Sequence, residues 1–275
     1  MPQSNRPAAR LLTSVALMAI VALSAAGCTT TGRGDVTGSI GRSAPPTTEA
    51  DWRRAADSWG ERYNANPKDP EAAIYYAQAL RATERRDQAA AVLERASIEN
   101  PHNKELLGAY GRALADVGRY EQALGVLNRA HTPDQPDWKI LNVQGAVFDQ
   151  LGRHSEARRS YLSALKIQPN DPSVLSNLGL SYALTKNLKQ AEETLRLANV
   201  QPGAAPKVRQ NLALVVGMQG RIGEAETIAR AGVSPAEGDT NVAYLRDTLG
   251  QYQDTQKKPA GKPRASTKNK LSANH

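Results

Sequence analysis

From about residue 52 to residue 253, apolar residues recur at intervals of three and four, the spacing that gathers them on one face of a helix. Ala, Leu, Glu, Arg and Gln supply most of this stretch, and all are good helix formers. No alternating run long enough for a strand interrupts it. Prolines fall between the periodic segments, at Pro67, Pro101, Pro136, Pro169 and Pro202, where they do least harm to a helix. Pro67, Pro101 and Pro169 are separated by 34 and then 68 residues. A fixed period of this length divides the chain into five blocks, 70–103, 104–137, 138–171, 172–205 and 206–239. The pattern predicts an all-α solenoid of about five helix-turn-helix repeats over 51–253, with capping helices at 52–66 and 241–252.

The same residue types return at the same places in each block. Gly111, Gly145 and Gly179 come from the first helices and Ala123, Ala157 and Ala191 from the second. Small residues at both places let the two helices of a hairpin approach closely. Leu107, Leu141 and Leu175 precede the glycines, and Leu114, Phe148 and Tyr182 follow them, filling the space between layers. Gly118, Gly152 and Gly220 recur at one further position of their blocks. No block can bury its apolar face alone, so stacking must supply the core. This constellation resembles the tetratricopeptide repeat (TPR).

Outside the periodic region the composition changes. Residues 1–27 contain no acid and two basic residues, Arg6 and Arg10, followed by an apolar run from Leu11 to Ala26. This is the layout of a secretory signal. The ending Ala25-Ala26-Gly27-Cys28 resembles a bacterial lipobox, and Cys28 is the only cysteine in the chain. That resemblance implies a lipidated Cys28, and a membrane anchored through it. Residues 28–50 are rich in Gly, Ser, Thr and Pro and read as a flexible linker spanning on the order of 25 Å. Residues 254–275 read as a disordered basic tail.

The net charge of +8 belongs to these ends, since the signal carries +2 and the stretch from Lys257 onward +6. The periodic body is neutral, which speaks against a nucleic-acid partner. His102, His131, His154 and His275 are scattered, and none has metal-ligand spacing with another. No catalytic set, phosphate loop or zinc motif is recognisable. The expectation is a protein with no catalytic residues, metal, cofactor or small-molecule substrate. His154 reads as a solvent-exposed residue in a turn.

The TPR resemblance implies a concave groove lined by the first helices. Its early part would offer Glu71, Gln78, Arg81, Glu105, Arg112, Lys139, Asn142 and Asp149. Its later part would offer Leu180, Leu184, Lys207, Gln210, Leu214 and Met218. Leu180, Leu184, Leu214 and Met218 are candidates for gripping an apolar peptide or amphipathic helix. Alternatively, they are ordinary core, or are covered by the segment from Asn241 to Tyr252. Asn177 and Lys207 match two of the places where some TPR proteins clamp a terminal carboxylate. The remaining places hold Asn142, Ala146 and Asn211, which is too poor a match for a clamp.

Several runs are similar to a narrower family, the TadD-type TPR lipoproteins of the Flp (tight-adherence) pilus machinery. They are AIYYAQALRATERRDQAAAVLERASIENP, LLGAYGRALADVGRYEQAL, HTPDQPDW, GLSYALTKNLKQAE and VRQNLALVVGMQGRIGEAE. The TPR pattern itself does not require HTPDQPDW or VRQNLALVVG. The resemblance implies an outer-membrane lipoprotein facing the periplasm, with the pilus secretin or other assembly components as partners. A TPR lipoprotein of another envelope task, such as outer-membrane protein insertion or cell-wall enzyme regulation, is the alternative.

Overall fold

The computed structural model of the chain describes residues 46–257 apart from Pro133. The expected signal, Cys28, most of the linker and all but the start of the basic tail lie outside the described residues. Among those described there are twelve helices and no strand beyond an isolated bridge between Thr132 and Gln135. Helix α1 (Glu49–Ala65) precedes five hairpins. These are α2 (Pro70–Ala82) with α3 (Arg86–Glu99), α4 (Lys104–Asp116) with α5 (Tyr120–Ala130), and α6 (Trp138–Gln150) with α7 (His154–Ile167). The last two are α8 (Pro172–Leu184) with α9 (Leu188–Asn199) and α10 (Pro206–Met218) with α11 (Ile222–Arg230), and α12 (Pro235–Lys257) closes the stack. The architecture is the all-α repeat solenoid that the 34-residue period predicts.

Each first helix is 13 residues long and starts at the first residue of its block. The residue just before it explains why. Asp69, Asn103, Asp137 and Asp171 each accept a hydrogen bond from a backbone N–H of the helix they precede, satisfying donors that the first turn leaves free. The fifth such position holds Ala205, and α10 has no side-chain cap. The second helices start differently. Arg85, Arg119, Arg153 and Arg221 bond an acceptor three residues on, at Gln88, Gln122, Glu156 and Glu224. The residue two places before each of these helices has positive φ in every hairpin: Glu84, Gly118, Gly152, Lys186 and Gly220.

Hairpins close on the small residues. A Cβ built on Gly111 would lie 2.5 Å from the Leu127 side chain, on Gly145 2.4 Å from the Tyr161 ring, and on Gly179 2.6 Å from Leu195. Leu127, Tyr161 and Leu195 are among the most completely buried side chains of the core.

Both ends differ from the boundaries read in the sequence. Helix α1 begins at Glu49, because Thr48 and Asp51 form a capping box around its first turn. Helix α12 begins at Pro235, since α11 ends after nine residues, and it runs past Tyr252 to Lys257.

Candidate partner-binding groove

The first helices α2, α4, α6, α8 and α10 pack on one another in series, and α12 continues the row. No such contact joins α3 to α5, α5 to α7 or α7 to α9. A stack whose first helices touch while its second helices stand apart curves toward the first helices. Their free face is therefore concave, and it is the candidate groove.

In the early groove the acids and bases are partly matched. Glu71, Gln78 and Glu105 are exposed. Arg81 Nε donates to Asp116 Oδ2, bridging α2 and α4. Arg112 is exposed, but its pKa is lowered, first by desolvation and then by the like charge of Arg81. A guanidinium in a concave trough is crowded by protein on several sides while its outer edge still meets solvent. Lys139 is exposed beside the ring of Trp138.

Several expected groove residues are spent on joining helices. Asn177 Nδ2 donates to Asn142 Oδ1 at 2.9 Å between α8 and α6. Asn211 Nδ2 donates to Ser176 Oγ at 3.0 Å in the same relation one repeat later, and is buried. Gln210 Nε2 donates to Asn241 Oδ1 at 3.1 Å, tying α10 to α12. These amides hold the inner helices in register.

Asp149 and His154 differ most from the sequence reading. Asp149 is not an open groove carboxylate, since its side chain is 7% exposed. Its Oδ1 lies 2.8 Å from His154 Nδ1 and accepts from Ser181 Oγ at 2.8 Å, and its Oδ2 accepts from Tyr161 Oη at 3.1 Å. Burial pushes this carboxyl up, with the bonds from His154, Ser181 and Tyr161 opposing. The Tyr161 hydroxyl is pushed well above its usual range by burial and then by the Asp149 charge. His154 is not solvent-exposed in a turn either. It opens α7, half-buried, as part of a polar node that locks α6, α7 and α8 together.

The apolar quartet divides. Leu214 is 5% exposed, enclosed with Tyr244, Leu245 and Thr248 of α12 around a small cavity. It is core covered by the terminal helix, and not a free gripping residue. Met218 is half-buried and packs against the cluster that holds Val242, Leu245 and Leu249. Leu180 and Leu184 are half-buried and belong to none of the core clusters among the described residues. They remain on the open face. Lys207 is exposed on α10, its pKa lowered by desolvation. The sequence reading missed Tyr244, which is 40% exposed on α12. Extending the 34-residue period one block further places it one period after Gln210, on the inner row. Cys28 lies outside the described residues.

Two family models match the sequence: Anaphase-promoting complex, cyclosome, subunit 3, over 54–130, and TPR repeat, over 145–185. No curated protein sequence matches the chain. Among solved structures, the chain is similar to PilW, described as a widely conserved type IV pilus biogenesis factor. That match is 19% identical with a TM-score of 0.58, covering 70% of this chain and 90% of PilW. It is also similar to a chain of the APC/C hetero-tetramer Cut9–Hcn1 (14% identity, TM-score 0.61, 76% of this chain and 42% of that one). A third likeness is to IFIT1 solved with Gppp-AAAA (16% identity, TM-score 0.60, 77% of this chain and 52% of that one). The chain thus spans about half the length of the latter two. At these identities the likeness is one of fold.

Proposed function

Taking the chain as a tetratricopeptide-repeat solenoid, we propose that it is a non-catalytic protein-interaction scaffold of the bacterial cell envelope, holding a partner segment in its concave groove. The observation that carries this reading is the open inner face between α6 and α10. Leu180 and Leu184 stand half-exposed there outside the core clusters, and Lys139 and Lys207 are exposed on the same row of helices. Repeat solenoids use such concave surfaces for extended recognition. The polar groups that could suggest chemistry, Asp149 with His154, Ser181 and Tyr161, are bonded to one another inside the fold. That is a structural use of them.

The finer reading is a lipoprotein, anchored through Cys28 to the outer membrane and facing the periplasm, that aids assembly or localisation of the Flp/Tad pilus secretin. Its support is the lipobox-like end of the signal, the TadD-like runs, and a fold shared with a protein described as a pilus biogenesis factor. Gentle detergent extraction of the native protein, with identification of co-purifying envelope proteins, tests it. The expected result is a secretin subunit that co-purifies with wild type and is reduced in both Cys28→Ser and Leu180→Asp. Recovery only of outer-membrane insertion machinery or cell-wall enzymes would move the protein to another envelope task.

A further inference from the structure

One rim of the groove can be followed at 34-residue intervals through Glu71, Glu105, Lys139, Ser173 and Lys207, all exposed. Its charge changes sign at α6. Arg112, one helix earlier, adds a third cation. Among the described residues none of Arg112, Lys139 and Lys207 has a carboxylate within ion-pair distance, whereas Arg81 is matched by Asp116. Three carboxylates on or beside α4 and α6 are engaged elsewhere, while Glu105, one period before Lys139, stays in solvent. Asp116 holds Arg81, Asp137 caps α6, and Asp149 is enclosed by His154, Ser181 and Tyr161. Beside these cations the open face carries the half-exposed Leu180 and Leu184.

Arg112 and Lys207 lose hydration in the groove, and Arg112 feels Asp116 and Asp137 only from beyond ion-pair distance. Lys139 has the face of the Trp138 ring. None of the three therefore has a direct carboxylate contact until an anion arrives. A carboxylate reaching one of them forms a charge-assisted hydrogen bond in a setting less screened than open solvent. Apolar side chains offered alongside would cover the two leucines. Resting on the groove reading above, we infer that the partner segment is acidic and amphipathic, with carboxylates that meet Arg112, Lys139 and Lys207 and an apolar edge that covers Leu180 and Leu184. A cationic segment is disfavoured by the same three charges, which gives the groove a sign as well as a shape.

The purified full chain can be titrated with short fluorescent amphipathic peptides that share a leucine face and differ only in the adjoining face, which is glutamate, glutamine or lysine. Anisotropy should report the glutamate peptide binding at least about tenfold more tightly than the lysine peptide, with the preference shrinking as salt rises. The double variant Arg112→Glu/Lys207→Glu, both at exposed positions, should lose or reverse that preference and keep its circular dichroism. A glutamate preference that survives the double variant would place the attraction elsewhere, the basic tail first, and overturn the inference. Equal binding of all three peptides, abolished by Leu180→Asp, would overturn the inference and leave the groove reading standing. Binding that ignores both Leu180→Asp and the charge reversals would overturn the groove reading itself.

Discussion

The inner face between α2 and α4 and the inner face between α6 and α10 are built on one repeat, yet they treat their polar groups in opposite ways. In the first, Arg81 and Asp116 meet each other across the helices and Glu71 and Glu105 stand in solvent. In the second, the acid is withdrawn into the fold at Asp149, and Lys139 and Lys207 are left facing outward with Leu180 and Leu184. The backbone is the same in both, so the difference lies in a few side chains. The hairpin position that packs on the small first-helix residue is Leu127 in the second repeat and Tyr161 in the third. Only the tyrosine brings a hydroxyl that can take up a buried carboxylate. Tyr161 acts together with His154 and Ser181, whose places one period earlier hold Tyr120 and Val147, and the place of Asp149 itself holds Ala115. A few side chains on a fixed scaffold thus decide that this acid is structural.

The largest effect that would break this contrast comes from Asp149→Ala. It leaves the Tyr161 hydroxyl, Ser181 and His154 without their shared partner inside the stack, and should cost about 3 kcal/mol in chemical denaturation. Glu105→Ala, the exposed acid of the other half, should stay within about 0.5 kcal/mol of wild type. Next comes Leu180→Asp, which should weaken partner binding by about tenfold or more with little change in melting temperature, because its side chain is only half-buried. Gln78→Asp, at the corresponding place on α2, should leave binding nearly unchanged.

The outer side offers two ion pairs of unequal strength at different repeat positions. Glu192 on α9 bonds Arg196, Arg221 and Gln219, whereas Glu94 on α3 reaches Arg119 only at 3.8 Å. Burial alone would raise the Glu192 carboxyl, but the bonds from Arg221, Gln219 and Arg196 outweigh it and bring its pKa down to about 2. A depressed carboxyl stabilises the fold fully above its unfolded value of 4.5, and that contribution fades as pH falls from there toward 2. Glu192→Gln should therefore cost about 1–2 kcal/mol at neutral pH, discounted for the exposure of both arginines, and progressively less in acid. Glu94→Gln, whose ion pair is long and exposed, should cost less than about 0.5 kcal/mol. The smallest effect concerns caps. Asp69→Ala should lose about 1 kcal/mol at the start of α2, and Ala205→Asp should gain up to about 1 kcal/mol at α10, the one first helix without a side-chain cap. Thermal melts of the two variants would test the pair.

The repeat architecture was legible because its determinants are periodic. Small residues at hairpin contacts and prolines near the joints recur at one interval, so each block supports the others. The caps Asp69, Asn103, Asp137 and Asp171 carry the same period and were there to be found. The groove was legible only in outline. Position in a repeat says which face a side chain starts from, but not whether a neighbour takes it up, and that is what separates Asp149 from Glu105 and Leu214 from Leu180. Leu214 is covered by Tyr244, Leu245 and Thr248 of α12, within the segment Asn241 to Tyr252 that the sequence left open as a cover. Only the start of α12 was misplaced, since it depends on how soon α11 stops. The sequence pattern leaves that point open, because Gly232 and Pro235 permit a break anywhere in the turn between the two helices. Met218 was drawn inward by the same helix, through the cluster around Leu245 and Leu249.

Site-specific photocrosslinking in living cells tests the central claim most directly, that a partner sits on the inner face between α6 and α10. A photoreactive residue is placed in turn at Leu184, at Gln78 and at Leu162, an exposed leucine on α7. The expected result is a discrete adduct from position 184, identified by mass spectrometry as an envelope assembly component, with little from 78 and none from 162. An adduct from position 162 and none from 184 would contradict the claim and move the binding surface to the outer helices.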